Sequence, residues 1–451
     1  MVEDSMRIGI SFTLAIGLLF GPQFETLAQE ISAPEATRLI DEAPIVISDL
    51  TPGSEVILRS ERPSHFGLGT IMRSELRYIA DDQGNVETAK MAAQGHAELA
   101  PQGNRLVFAP FWKMASTSEK VPQDWPINEV RFSVDIEADG SFELFETMRL
   151  GPGPGDYVEQ PLSAEFPGAF IATPVDRPSE DRPVVIVLGG SEGDDGAARA
   201  LTPSFIEEGW IVLGLPYHSP RYYGQDQKFP GLPESFFDIP IDYVEAAIGQ
   251  IKQREGVDPN RIAIWGASKG AELALLTGIR VEGLQAIVGI VPSDVVWEGW
   301  GVGSVEGEST SFAYRGESLA FVPYVDMRSI IAKLSRGEPA ALRPAMDAGR
   351  IRYPERVAAA RIKVEQIDEP VLLVGGDLDN VWASGPMARN IADSRDRAGL
   401  DTIALTYPEG SHSLSGSPFD PGSPADAAAR QEAYPAMRRF LRRTLTTCTC
   451  E

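Results

Sequence analysis

The apolar positions of the first third of the chain recur with a period of two. Val130, Phe132, Val134 and Ile136 alternate with polar residues, Asp139-Gly140 interrupts the run, and Phe142, Leu144, Met148 and Leu150 resume it. Such alternation puts one face of a strand in a core and the other in solvent, and an Asp-Gly pair between two such runs predicts an antiparallel hairpin. Shorter strand-like segments at 55–58 and 70–79 are bounded by the turn signals Thr51-Pro52-Gly53 and Asp82-Gln83-Gly84. The stretch from 45 to 150 is therefore expected to form a small β-sandwich.

The pattern changes beyond Gly151-Pro152-Gly153-Pro154-Gly155, a run of breakers that reads as a linker. Short, mostly apolar segments at 184–188, 211–215, 262–265, 286–291, 371–374 and 402–406 read as buried strands, while 197–208, 241–254, 271 onward, 387–396 and 436–445 read as helices. Strands alternating with helices predict a parallel α/β sheet. Residues 297–368 interrupt the alternation and carry Trp297, Trp300, Phe312, Tyr314, Phe321 and Tyr324. Two readings of these aromatics stand: a pocket overhanging the sheet, or the small core of an insertion. Whether 297–368 moves as a lid is open. The expected domains are 40–150 and 156–446.

The N-terminus has a different character. An apolar run follows Arg7 from Ile8 to Gly21, short of the roughly 18 residues of a membrane span, and Thr26-Leu27-Ala28 offers small residues at a cleavage site. Residues 1–28 read as an export signal, with Met6 a candidate start because Glu3 and Asp4 spoil the basic leader; the expected location is periplasmic or secreted, or cytoplasmic if the segment is retained. No stable membrane insertion is expected. The net charge of −25 over 451 residues repels nucleic acid at long range, so none is expected as a partner. Cys448 and Cys450, the two cysteines present, sit at the C-terminus and leave no thiol nucleophile in the body of the chain. No cofactor or metal is expected, and the sequence does not set the oligomeric state.

The chemistry centres on Gly266-Ala267-Ser268-Lys269-Gly270, a G-x-S-x-G motif between a predicted strand and a predicted helix. In that context the motif reads as a nucleophile elbow, with glycines where the tight turn leaves no room for a side chain and the serine hydroxyl pushed out above the sheet. A serine needs a base, and the base needs an acid to fix its tautomer. In the α/β-hydrolase arrangement these follow in the order Ser, acid, His. Of the four histidines only His412 lies beyond Ser268, in a turn-rich loop after the last strand. His65 and His96 stand alone, and His218 ends a strand and is expected to be structural. Two acids, Asp377 and Asp379, follow the strand at 371–374; the turn needed to aim a carboxylate back at the imidazole favours Asp379, with Asp377 as alternative. The oxyanion donors are expected to be the backbone N–H of Lys269 and, in the Gly189-Gly190-Ser191-Glu192-Gly193 loop, that of Ser191. An amide donor makes the Lys269 side chain dispensable.

With these motifs the chain resembles the family of acyl-CoA thioesterases and bile acid-CoA:amino acid N-acyltransferases. The resemblance rests, in order, on the elbow with Ala271-Glu272, on Phe312-Ala313-Tyr314-Arg315-Gly316-Glu317-Ser318-Leu319, on the run from Val374 to Trp382, and on Tyr407-Pro408-Glu409-Gly410-Ser411-His412. It implies an immunoglobulin-like β-sandwich ahead of an α/β-hydrolase domain, with a triad of Ser268, Asp379 and His412. It further implies a small-molecule acyl thioester or ester as substrate. The family's acid is followed closely by Asn-Trp, here Asn380-Val381-Trp382, which supports Asp379. Family transferases use cysteine as nucleophile, so a serine favours water as acceptor. An acyltransferase and an inert binding protein on the same scaffold remain the alternatives, and whether the leaving group is CoA or an alcohol is open, since an exported acidic enzyme would not meet cytosolic acyl-CoA.

Overall fold

The computed structural model describes residues 28–39, 43–63, 70–95, 113–115, 119–176, 181–221, 226–416 and 423–446. All but the last residue of the expected export signal, together with His65, His96 and both cysteines, lie outside the described residues.

Among the described residues, the N-terminal region contains strands and no helix. Ala36–Thr37, Leu144–Leu150, Glu129–Asp135, Glu55–Pro63, Ile71–Ile79 and Lys113–Met114 lie side by side in one sheet, and Glu30–Ser32, Val46–Ser48 and Val86–Glu87 form a second. Val56, Leu58, Val130, Phe132 and Val134 of the first sheet share one apolar core with Ile31, Ile47 and Val86 of the second. The alternation that places these side chains inward is the one legible in the sequence. The connection at Asp139-Gly140 differs from expectation. Val134 pairs with Leu144, so the link spans 136–143 rather than two residues. The cause is Asp135, whose buried carboxylate accepts the amides of Asp139 at 3.2 Å and Gly140 at 2.7 Å and draws the loop around itself.

The remainder is built on eight strands: β1 (Tyr157–Pro161), β2 (Phe170–Pro174), β3 (Arg182–Leu188), β4 (Ile211–Gly214), β5 (Val257–Ala267), β6 (Ala286–Ile290), β7 (Val371–Gly376) and β8 (Thr402–Tyr407). Their spatial order is β1-β2-β4-β3-β5-β6-β7-β8, with β2 antiparallel to both its neighbours and β3 to β8 parallel. Helices α1 (Gly196–Ile206), α2 (Ile241–Ile251), α3 (Lys269–Gly278), α4 (Met327–Ser335), α5 (Arg343–Arg352), α6 (Ser384–Arg397) and α7 (Pro424–Leu445) follow. Apolar cores fill both faces, one with Ile186, Ile264, Leu273 and Leu373, the other with Val187, Trp265, Val288 and Leu441. Strands buried on both faces read as continuous apolar runs, as they do here.

Helix α7 begins twelve residues before the expected 436. Pro435 marks a boundary in sequence terms but lies inside the helix. Loss of one backbone hydrogen bond there is outweighed by burial of Ala429, Ala433, Met437 and Phe440 against the sheet, and Ser423 caps the start by accepting the Asp426 amide at 3.0 Å. The N-terminal strands and the α/β sheet meet at the end of α1, where the Leu39 amide donates to the Glu207 carboxylate at 2.9 Å. No helix among the described residues is long and apolar enough to cross a membrane.

Candidate active site

Ser268 stands at the break between β5 and α3 with φ 55° and ψ −119°. A side-chain-bearing residue at positive φ is strained, and it persists only where its surroundings fix it. Here the Ser268 amide donates to the Ile290 carbonyl at the end of β6 at 2.8 Å, and helix α3 starts at the next residue. A Cβ on Gly266 would collide with the Gly270 carbonyl, and one on Gly270 with the carbonyl of Gly189. Both glycines of the motif are thus required by backbone-to-backbone approach.

The structure brings the three distant candidates together. His412, in a 3-10 turn after β8, lies with Nε2 2.9 Å from Ser268 Oγ and Nδ1 at 3.0 and 2.9 Å from the two carboxylate oxygens of Asp379. The tautomer that satisfies both contacts carries its proton on Nδ1, donates it to Asp379 and leaves Nε2 to accept from the serine hydroxyl. Asp379 is 1% exposed. Its Oδ1 also accepts the amides of Val381 at 2.8 Å and Trp382 at 3.2 Å, so the turn after β7 holds the carboxylate from behind. Asp377 points away and pairs with Arg389 at 2.8 Å on the surface.

Three side chains support this relay in ways the sequence did not assign. Trp382 packs its ring edge-on to His412, centroids 5.2 Å apart, and its indole N–H donates to the carbonyls of Val291 and Pro292 at 3.1 Å each. Asp426, at the start of α7, accepts from the Ser411 amide at 2.7 Å and hydroxyl at 2.8 Å, fixing the residue before the histidine. Arg343 of α5 reaches the turn that carries Asp379. Trp382 had a signal, its place just after the acid; Asp426 and Arg343 had none, because their partners are distant in sequence.

The amide of Lys269 opens α3, where first-turn N–H groups have no intrahelical acceptor. Ser191 lies across the site in the loop after β3 and borders the same space as Ser268. That loop is held by side chains: Glu192 folds back to accept the Gly190 amide at 2.6 Å, and burial pushes its carboxyl up. His218 sits buried behind it, with Nδ1 3.0 Å from the Ser191 carbonyl and Nε2 3.1 Å from that of Glu234. Burial lowers the His218 pKa, and a neutral ring donates to one of the two carbonyls at a time.

The Lys269 side chain, for which the sequence suggested no catalytic part, is built into the core. Its ammonium is buried 2.8 Å from Glu272 and 2.8 Å from the Ser311 hydroxyl, among the rings of Phe236, Trp300 and Phe312. The other Glu272 oxygen accepts the Trp297 amide at 3.1 Å. Burial depresses the lysine and raises the glutamate, each partly offset by its partner's charge. Removing one member leaves the other uncompensated, so Lys269→Met is expected to destabilise the fold by about 3–5 kcal/mol. Urea unfolding checks this; an unchanged midpoint would show that the pair adds nothing to stability.

Two cavities meet at Ser191, Ser268 and His412. One, about 720 Å³, is walled by Trp300, Tyr324, Met327, Ile331, Leu342, Met346 and Trp382. The other, about 640 Å³, is more polar, with Glu192, Asp194, Ser413, Ser415, Arg430 and Tyr434. The aromatics of the insertion therefore divide between the two roles open at the sequence level. Trp300 and Tyr324 line the apolar cavity, whereas Trp297, Phe312 and Phe321 are buried in core clusters.

Residues 239–437 match the family profile described as "BAAT / Acyl-CoA thioester hydrolase C terminal". The chain is 25% identical over 382 residues to acyl-coenzyme A thioesterase 1 of Mus musculus, covering 82% of this chain and 81% of that protein. It is 28% identical over 263 residues to acyl-coenzyme A thioesterase 6 of the same organism, covering 55% of this chain and 57% of that one. Among solved structures, an esterase from Thermogutta terrifontis aligns at 15% identity with a TM-score of 0.42, over 66% of this chain and 96% of that chain. The matched region contains the elbow, the acid turn and the histidine loop, so over residues 239–437 the chain is similar to the C-terminal domain of the acyl-CoA thioester hydrolases.

Proposed function

We propose that the chain is a serine acyl hydrolase that cleaves an acyl thioester or ester through an acyl-enzyme on Ser268. The observation that carries this reading is the unbroken hydrogen-bonded series from Ser268 Oγ through His412 to Asp379, at the junction of an apolar and a polar cavity. In the reaction, Ser268 Oγ attacks the acyl carbonyl while His412 Nε2 takes its proton. Asp379 stabilises the imidazolium that results, and the Lys269 and Ser191 amides receive the oxyanion. Collapse of the tetrahedral intermediate expels the thiol or alcohol, which takes the proton from His412. Water, deprotonated by the same nitrogen, then attacks the acyl carbon, and collapse releases the carboxylic acid while His412 returns the proton to Ser268 Oγ. The acyl chain occupies the apolar cavity and the leaving group the polar one, an assignment supported by their linings.

The same reading takes in the remaining expectations. Residues 40–150 form an immunoglobulin-like sandwich, supported by two sheets around one core; 156–446 form the catalytic domain; and 1–28 direct export.

The test is labelling of folded protein by a fluorophosphonate probe, followed by hydrolysis of acyl-CoA and of simple esters with matched acyl chains. Labelling at Ser268 with release of free acid is expected. Failure to label would return the chain to the binding-protein reading, and diversion of product onto added amines or alcohols would make it a transferase.

A further inference from the structure

The acid turn is gripped from the insertion. Arg343, at the start of α5, donates through one guanidinium nitrogen, Nη1, to the carbonyls of Asp377 at 2.8 Å and Asp379 at 3.0 Å. Beside it, the backbone amides of Leu342 and Arg343 both donate to the carbonyl of Asn380 at 3.0 Å. Three carbonyls within four residues of the turn are thereby tied to one helix start. The guanidinium is further steadied by Asp347, one turn on, at 3.3 Å. On the other side, the amides of Val381 and Trp382 hold the Asp379 carboxylate.

We propose that Arg343 is a positioning residue for the catalytic acid, and that through it the insertion, rather than the sheet alone, sets the aim of Asp379 at His412. The inference rests on the acyl-hydrolase reading. Its physical basis is the direction of the dipoles. A carboxylate held by Val381 and Trp382 amides can rotate with its turn unless the backbone on the far side is anchored. A fixed, always-charged guanidinium that bridges two carbonyls provides that anchor in a way a single neutral donor does not. The same helix start lines the apolar cavity with Leu342 and, one turn later, Met346. The element that feels the acyl chain is thus the element that holds the acid, which gives the insertion a part in turnover as well as in binding.

The experiment uses the full chain, with Arg343→Gln and Arg343→Lys, p-nitrophenyl acetate and octanoate as substrates, and the fluorophosphonate reaction as a readout independent of substrate choice. Arg343→Gln is expected to lower kcat on both esters on the order of 10- to 100-fold with little change in KM. The rate of fluorophosphonate labelling falls in parallel. The acid limb of the kcat/KM profile moves to lower pH, because a poorly aimed carboxylate stabilises the imidazolium less. Arg343→Lys, which keeps the charge and can still reach one carbonyl, restores part of the rate. A lower melting midpoint with unchanged kcat, labelling rate and pH profile would overturn the proposal and reduce Arg343 to a structural role. A wild-type protein that labels normally, with labelling sensitive to Arg343, yet hydrolyses neither ester, nor acyl-CoA of the same chains, would sink the acyl-hydrolase reading while keeping the positioning role.

Discussion

Ser268→Ala is expected to lower turnover on the order of 10⁶-fold while leaving the fold intact. The hydroxyl makes its described contact with His412 alone, so the loss falls on chemistry rather than packing. What remains after its removal is the oxyanion hole and substrate binding, which in triad hydrolases account for a residual rate of roughly 10³–10⁴ over water. Alanine retains the strain of a side chain at φ 55°, so its stability should match that of the parent. Ser268→Gly removes hydroxyl and strain together; it should be equally inactive and more stable, within the roughly 1–3 kcal/mol that such backbone conformations cost. Steady-state hydrolysis and thermal unfolding of the two variants test this. Retention of most activity by either would refute the acyl-enzyme mechanism.

Asp379→Asn should lower kcat by about 10⁴-fold. The substitution preserves shape and leaves one oxygen to accept the Val381 and Trp382 amides. The new amide N–H₂, however, donates to His412 Nδ1 and forces the proton onto Nε2, where the base must be free to accept from Ser268. Asp377→Asn serves as the control. Its carboxylate engages Arg389 on the surface, an ion pair worth roughly 0–1 kcal/mol, and kcat should stay within a factor of about 5. If instead Asp377→Asn silenced the enzyme and Asp379→Asn did not, the acid would be misassigned.

Asp377 and Asp379 differ in contacts that local sequence does not encode. Strand β7 was legible as an apolar run, and the place of an acid at its end followed from fold logic. The sequence favours Asp379 over Asp377 but does not show what aims it: Asp379 is turned inward by the Val381 and Trp382 amides, while Asp377 is drawn outward by Arg389. Local pattern fixes whether a segment is strand or helix, because that depends on neighbours three or four positions away. It does not fix the direction of one side chain after a strand, because that depends on partners from other elements.

Lys269 makes the same point from the opposite side. Its position after Ser268 made its amide the expected oxyanion donor and gave the side chain no expected role. Only the folded chain brings Glu272, Ser311 and the rings of Phe236, Trp300 and Phe312 around it. Long charged residues are rarely buried unless paired; Glu272 lies one turn on, but the hydrogen bond to Ser311, 42 positions away, leaves no trace in periodicity.

The sequence by itself determined the alternation of strands and helices, the elbow with its two obligatory glycines, and a single histidine in the right order, since these depend on backbone sterics and on hydrophobic period. The tertiary structure decided the rest: the contacts that turn Asp379 toward His412, which aromatics line a cavity and which fill a core, and the grip of Arg343 on the acid turn. Each of those is set by contacts between residues tens of positions apart, where a hydrogen bond of about 3 Å depends on how whole elements pack.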